Sequence, residues 1–230
     1  MARKTYFVTG TDTDAGKTFA TTVLLEAARA QGLRTLAMKP IASGSEETPE
    51  GLRNDDALRL QAAITEQLSY EQVNPLAFAP AIAPHVAASQ VGAHVTAQRL
   101  VGLCRGLQMR PGDLLLIEGA GGWRVPLNGR ETYARVPQEL NCPVILVVPL
   151  KLGCINHALL SAEAIQRDGL RLAGWVANRV SATPMACERE TFEYLCEHLP
   201  APLLADLPWA PQASPAALIS HVNLAPLIEK

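Results

Sequence analysis

The chain has 230 residues, 48% of them hydrophobic and 18% charged, with a formal net charge of −2. That length and apolar content suit one α/β domain with a sizeable core, and little of the chain is expected to be disordered. The near-neutral balance gives no electrostatic case for nucleic acid or an acidic membrane surface as a partner. The five cysteines, Cys104, Cys142, Cys154, Cys187 and Cys196, are odd in number and contain no C-x-x-C pair. Neither a disulfide framework nor a zinc site is expected; free thiols in a reducing cytosol are. The basic stretch from Met1 to Gly10 lacks the apolar segment of a signal peptide, and the longest apolar run, 143–150, is too short to cross a bilayer. A soluble, cytoplasmic protein is the expectation.

In chain order, residues 6–9 read as a strand and 16–31 as the helix after it, stopped by Gly32. A second strand is expected at 33–38. Residues 40–54 carry Gly44, Pro49 and Gly51 and read as a loop; 57–63 read as helical; 74–84, rich in proline and alanine, read as a connection. The continuous apolar runs 114–117 and 144–148 suit strands buried on both faces. Ile155, Ala158, Leu159, Ala162 and Ile165 fall at helical spacing within 154–166. A strand at 172–177, a helix at 186–198 and a short strand at 203–204 follow, and the tail after Pro208 resists assignment. This alternation implies an α/β fold in a single domain, 1–230, with a mostly parallel sheet and helices on both faces.

Gly10-Thr-Asp-Thr-Asp-Ala-Gly-Lys-Thr18 links the first strand to the first helix. That is the setting of a phosphate loop, and it makes the expected fold P-loop NTPase-like. A helix N-terminus offers free N–H groups and a partial positive charge to a phosphate. Gly16 permits close backbone approach, Lys17 can reach the terminal phosphates, and the Thr18 hydroxyl can coordinate Mg²⁺. Five residues separate the two glycines, one more than the usual four.

Mg²⁺ borrows one or two carboxylates from a protein in such sites. Glu118 ends the apolar run 114–117 and precedes Gly119-Ala-Gly-Gly122, so it falls where ligands bind in open α/β sheets. Asp55 and Asp56 follow Asn54 at the start of a helical stretch; a helix cap and a metal ligand are both open readings there. Lys39, at the end of the second expected strand, would enter the same crevice and neutralise charge on a transferring phosphoryl group, unless it is a solvated surface lysine. The five histidines do not cluster, and Trp123 and Trp175 read as core or interface residues.

Taken together, these segments resemble the dethiobiotin synthetases. The resemblance rests on Val8-Thr-Gly-Thr-Asp-Thr13 with Gly16-Lys-Thr18, Lys39-Pro with Ala42-Ser-Gly-Ser45, and Glu118-Gly-Ala-Gly-Gly-Trp123. Lys151-Leu-Gly-Cys-Ile-Asn-His157, Ala173-Gly-Trp-Val-Ala-Asn178, Pro200-Ala-Pro-Leu-Leu204 and Pro208-Trp209 extend it over nearly the whole chain. It implies an ATP- and Mg²⁺-dependent ligase. In that reaction 7,8-diaminononanoate takes up CO₂ as a carbamate, ATP converts the carbamate to a mixed anhydride, and the second amine closes the cyclic urea. Products are dethiobiotin, ADP and phosphate.

The resemblance implies ATP phosphates at Asp14, Ala15, Gly16, Lys17 and Thr18, with Gly119, Ala120 and Gly121 beside them. It implies Mg²⁺ at Thr18, Asp56 and Glu118, catalysis by Lys39 and Lys17, and substrate contact at Ser43. Asn178, with Pro208 and Trp209, would read the adenine. A homodimer with shared sites is implied, the partner's Gly153 and Asn156 taking the substrate carboxylate, with Tyr194 as the candidate substrate tyrosine. Arg179 after Asn178 and Asp14 in place of a glutamate depart from the family pattern. Two other readings compete. A corrinoid amidase-type synthetase needs a glutaminase domain that 230 residues do not accommodate. A partition-type switch ATPase carries a lysine early in this loop, and none lies between Gly10 and Gly16.

Overall fold

The structure, a computed structural model, describes residues 3–228; Met1 and Ala2, part of the basic N-terminal stretch, and Glu229 and Lys230 lie outside the described residues. The chain runs β1 (Lys4–Gly10), α1 (Lys17–Ala30), β2 (Thr35–Met38), β3 (Ile41–Ser43), β4 (Glu46–Thr48), β5 (Gly51–Arg53) and α2 (Asp55–Ala63). It continues through α3 (Tyr70–Val73), β6 (Leu76–Phe78), α4 (Pro84–Gln90), α5 (Ala97–Gln108), β7 (Leu114–Gly122), α6 (Arg135–Leu140) and β8 (Val144–Pro149). The last elements are α7 (Cys154–Arg167), β9 (Leu172–Asn178), α8 (Glu188–His198), β10 (Leu203–Leu207), a 3₁₀ turn (Pro215–His221) and α9 (Ala225–Ile228).

Six strands form the central sheet in the order β10-β9-β8-β1-β7-β2, every pair parallel. Strand order reverses beside β1. The connection from β1 to β2 moves one way across the sheet and that from β8 to β9 the other. With right-handed crossovers, α1 and α7 therefore cover opposite faces. The apolar runs foreseen as doubly buried are so: Leu114–Ile117 and all of β8 are buried. The carboxyl ends of β1, β7, β8 and β2 open onto one edge, where a parallel sheet binds ligands.

The differences from the sequence reading follow from physical causes. The expected loop 40–54 holds three short strands. β4 and β5 form an antiparallel hairpin in which Thr48 pairs with Gly51 and its hydroxyl donates to the Gly51 carbonyl at 2.7 Å. Of the residues read as loop signals, Pro49 lies in the turn of that hairpin and Gly51 opens β5 at φ 103°, while Gly44, at φ 74°, bends the chain between β3 and β4. The expected connection 74–84 contains β6, which pairs in parallel with β3. The strand expected to end at Ile117 runs on to Gly122, and the one at 203–204 runs to Leu207. Helix α5 is not among the expected elements, although Thr96 caps it and Leu100, Val101, Cys104 and Leu107 are buried at helical spacing. Trp123 and Trp175 are core residues. Among the described residues all five cysteines are free and no helix is long and apolar enough to cross a membrane.

Candidate active site

The phosphate loop leaves β1 at Gly10, where a β-carbon would stand 2.9 Å from that of Ala15. Asp14 and Gly16 take left-handed backbone, at φ 57° and 79°. Gly16 is the N-cap of α1, and no side chain caps it. The first N–H groups of that helix thus remain available to an anion. A side chain at Gly16 would also collide with Asn178, whose Nδ2 lies 2.0 Å from the position of an added β-carbon. The Lys17 ammonium is buried and donates back to the Asp12 carbonyl at 3.3 Å. Burial pushes its pKa down, opposed by the Glu118 charge; Lys39 adds to the depression.

Three elements deliver charge to the same point. Glu118, on β7, is fully buried. Its Oε1 accepts from the Thr18 hydroxyl at 2.7 Å and from Lys39 Nζ at 2.8 Å. Lys39, just past β2, also reaches Asp56 Oδ2 at 2.8 Å. It is not a surface lysine: its side chain is 7% exposed. Burial alone would lower the Lys39 pKa, but the Glu118 and Asp56 carboxylates reverse that and raise it. Burial raises and Lys39 lowers the Asp56 pKa, with a net depression. Glu118 Oε2 is buried without a hydrogen-bond partner among the described residues. A buried carboxylate oxygen left open costs free energy unless something fills the position.

The cap reading of residues 54–56 holds at the first of them. Asn54 is the cap, its oxygen accepting from the Ala57 N–H at 3.4 Å. Asp56 is thereby left to Lys39. A buried network that sequence reasoning missed fixes the geometry. Asn74 Nδ2 donates to the Lys39 carbonyl at 2.6 Å, the Tyr70 hydroxyl donates to Asn74 Oδ1 at 2.9 Å, and the Asn54 N–H donates to that hydroxyl at 2.7 Å. One tyrosine thus ties the start of α2 to the end of β2. Tyr70 and Asn74 are only four residues apart, but their partners Asn54 and Lys39 meet them only in the fold. The hydroxyls of Ser43 and Thr11 are also buried and unpartnered among the described residues. Thr11, inside the phosphate-loop motif, was given no role.

On the other side of the loop, Asn178 ends β9 and donates from Nδ2 to the Ala15 carbonyl at 2.9 Å. A carbonyl only accepts, so the amide oxygen faces away, and Oδ1 is buried without a partner among the described residues. Beyond it opens a cavity of about 680 Å³ bounded by Asp14 and Gly16, Phe19, Asn178, Pro208 and Trp209. Gly119 packs so tightly on Phe7 that an added β-carbon would lie 2.8 Å from its ring; Ala120 and Gly121 follow, with Gly121 at φ 58° near Thr13. Gly153, Asn156 and Tyr194 are not brought to this cluster within the chain. Gly153 caps α7 on the surface with Asn156 exposed behind it, and Tyr194 stacks on His198 along α8, 3.8 Å between centroids.

A family model described as an AAA domain matches residues 4–217. The chain is 65% identical to the ATP-dependent dethiobiotin synthetase BioD of Marinobacter nauticus over 233 residues, which covers all of both chains. The chain belongs to the ATP-dependent dethiobiotin synthetase family. It is 53% identical to the dethiobiotin synthetase of Cellvibrio japonicus, again over all of both chains. Solved structures of lower identity share the fold. The septum site-determining protein MinD of Pyrococcus horikoshii, complexed with Mg-ADP, aligns with TM-score 0.56 at 15% identity, covering 94% of this chain and 93% of its own. A ParA family ATPase of Chlorobium tepidum aligns with TM-score 0.55 at 11% identity, covering 95% and 96%. Those likenesses are of architecture, whereas the likeness to the synthetases extends through the sequence. The segments Lys39-Pro and Glu118-Gly-Ala-Gly, on which the sequence resemblance rests, meet at one ion-paired cluster.

Proposed function

We propose that this chain is an ATP-dependent dethiobiotin synthetase whose residues 1–230 act as one synthetase unit, converting 7,8-diaminononanoate, CO₂ and ATP to dethiobiotin, ADP and phosphate. The observation that carries the reading is the buried meeting of Lys39, Glu118 and Thr18 beside the phosphate loop, in a chain of this family. The chemistry brings a carbamate anion against a polyanionic phosphate tail, so repulsion is the main obstacle. Lys17 and Lys39 supply positive charge where negative charge gathers, and holding the two reactants in line contributes much of the rest. No side-chain nucleophile is needed, because the second amine of the substrate attacks the mixed anhydride.

The donor set fits Mg²⁺: a hydroxyl at Thr18 and carboxylates at Asp56 and Glu118, the latter with a buried open oxygen. When bound, Mg²⁺ supplies further positive charge at the phosphates. In the free protein the Glu118 and Asp56 carboxylates keep Lys39 charged and aimed, and an arriving carbamate takes over as its partner. The buried Ser43 hydroxyl, four residues along from Lys39, is available to the substrate. Asp14 to Thr18 hold the phosphates, with Gly119, Ala120 and Gly121 lining that side. The cavity takes the nucleoside between Asn178 and the Pro208–Trp209 wall. Asn178 Oδ1, an acceptor, favours a base that presents an amino group there, as adenine does, over one that presents a keto oxygen.

A homodimer completes the substrate site. The supporting observations are an uncapped α7 N-terminus at Gly153 and Asn156, suited to a carboxylate, and Leu152 beside it at 93% exposure. Tyr194 is the substrate tyrosine of that reading. The enzyme works in the cytoplasm, in keeping with its free cysteines. Incubation with ATP, Mg²⁺, bicarbonate and the diamine, followed by mass detection, yields the cyclic urea with ADP in equal amount. ADP without cyclic urea would refute the assignment. For the shared site, Lys39→Ala and Asn156→Ala proteins mixed as hybrid dimers regain activity; hybrids that form without any regain would refute it.

A further inference from the structure

Arg179 directly follows Asn178 and borders the cavity, yet its guanidinium is already engaged. Nε donates to Glu188 Oε1 at 2.7 Å, and Nη1 donates to Asp206 Oδ1. Its backbone N–H donates to the Leu207 carbonyl at 3.0 Å, where β10 runs into Pro208 and Trp209. The three residues sit at the end of β9, in the first turn of α8 and at the end of β10. The ion pairs are half-buried, with side chains 26% exposed at Arg179 and 15% at Glu188. A planar guanidinium that engages two carboxylates at once fixes its surroundings in angle as well as distance, which a lysine does not.

We propose that Arg179 is a positioning residue for nucleoside binding, a clamp that holds the Asn178 amide and the Pro208–Trp209 wall at a fixed separation across the cavity. Asn178 grips the phosphate loop through Ala15, while Trp209, 45% exposed, borders the same cavity. Among the described residues the Arg179–Asp206 pair is the only side-chain ion pair that joins the ends of β9 and β10, and the Arg179–Glu188 pair ties them to the first turn of α8. Both acids turn Arg179 away from acting as a base-reading donor, so its effect on the nucleotide passes through its neighbours. The inference rests on the cavity being the nucleoside site.

The test compares two ligands that share the phosphate loop. ADP carries a base; tripolyphosphate does not. Dissociation constants are measured by calorimetry for the wild type, Arg179→Met, Arg179→Lys and Glu188→Gln. The clamp predicts that Arg179→Met weakens ADP about tenfold and leaves tripolyphosphate within about twofold. Arg179→Lys restores part of the loss, and Glu188→Gln added to Arg179→Met has no further effect, as for members of one unit. Equal weakening of both ligands would mean a general structural role and would overturn the proposal. So would unchanged ADP binding in a folded Arg179→Met protein. If the wild type binds tripolyphosphate as tightly as ADP, the nucleoside reading of the cavity fails instead.

Discussion

The two ends of the proposed nucleotide site are built on opposite plans. At the phosphate end, Lys17, Thr18, Lys39 and Glu118 are buried, and three of them are joined by bonds of 2.7–2.8 Å to one carboxylate oxygen or through it. At the nucleoside end a wide cavity is bordered by apolar and half-exposed groups, with one buried amide oxygen to give direction. The first arrangement suits work on charge, because a fixed charge in a dry pocket needs no reorganisation when the reaction begins. The second suits binding, where shape and one hydrogen bond suffice. Changes at the phosphate end should therefore act on turnover, and changes at the nucleoside end on affinity.

The largest effect is expected at Lys17. Lys17→Met should lower dethiobiotin formation by about 10³-fold or more, since one lost charge contact in a transition state costs about 10²–10³ and phosphate binding suffers as well. Its thermal stability should not fall. The Lys17 pKa is depressed in the folded state, so the protonated side chain is a burden on folding at neutral pH that methionine removes. A melting temperature well below wild type would contradict this. Next is Glu118→Gln, which keeps the shape but removes the charge. It should raise the Mg²⁺ concentration needed for half-maximal turnover by about tenfold, read from a metal titration at saturating ATP; an unshifted curve would remove Glu118 from the metal set. Asn178→Ala should raise KM for ATP about tenfold, the scale of one buried hydrogen bond, with KM for the diamine held.

The smallest effect is one of pH. Asp56 has a depressed pKa in the folded state, so its pairing with Lys39 stabilises the fold above the unfolded value, 3.8, and the contribution is lost as pH falls through the folded value. Asp56→Asn should therefore be less stable than wild type at pH 6, and the gap should start to narrow below pH about 4 and vanish only below the folded value. With Asp56 44% exposed, solvent screening holds that gap to about 1 kcal/mol or less. Lys39 behaves in the opposite sense. Its raised pKa gives stability that is complete below the unfolded lysine value and is lost only as strongly alkaline pH passes the folded one.

The two ends also differ in how far the sequence reveals them. The phosphate loop, the strand-end lysine and the strand-end acid are short-range patterns: a strand, a glycine turn, a charge at a fixed offset. Gly10 to Thr18, Lys39 and Glu118 stand out as candidates because phosphate chemistry dictates residue type at neighbouring positions, and the fold brings them together. The sheet was legible for the same reason, since 114–117 and 144–148 are unbroken apolar runs. What escaped was long-range. The pairing of β3 with β6 joins residues 41–43 to 76–78 across two helices, and the glycines between them looked like loop. The brace of Tyr70 and Asn74 on Lys39 spans 35 residues, and the Arg179 clamp reaches 27 residues to Asp206. Helix α5 escaped for a different reason: its cap and apolar spacing are present in 96–107 and were passed over.

On the proposed mechanism Lys39 has two duties, neutralising buried Glu118 in the free protein and meeting the carbamate and transferring phosphoryl group during reaction. The most direct test is Lys39→Met, with turnover by mass detection and unfolding free energy measured on the same preparation. The expected outcome is ADP binding close to wild type, a stability loss of about 3–5 kcal/mol from the stranded carboxylate, and a fall in dethiobiotin formation of about 10²-fold or more. A folded Lys39→Met protein that forms dethiobiotin at the wild-type rate would contradict it.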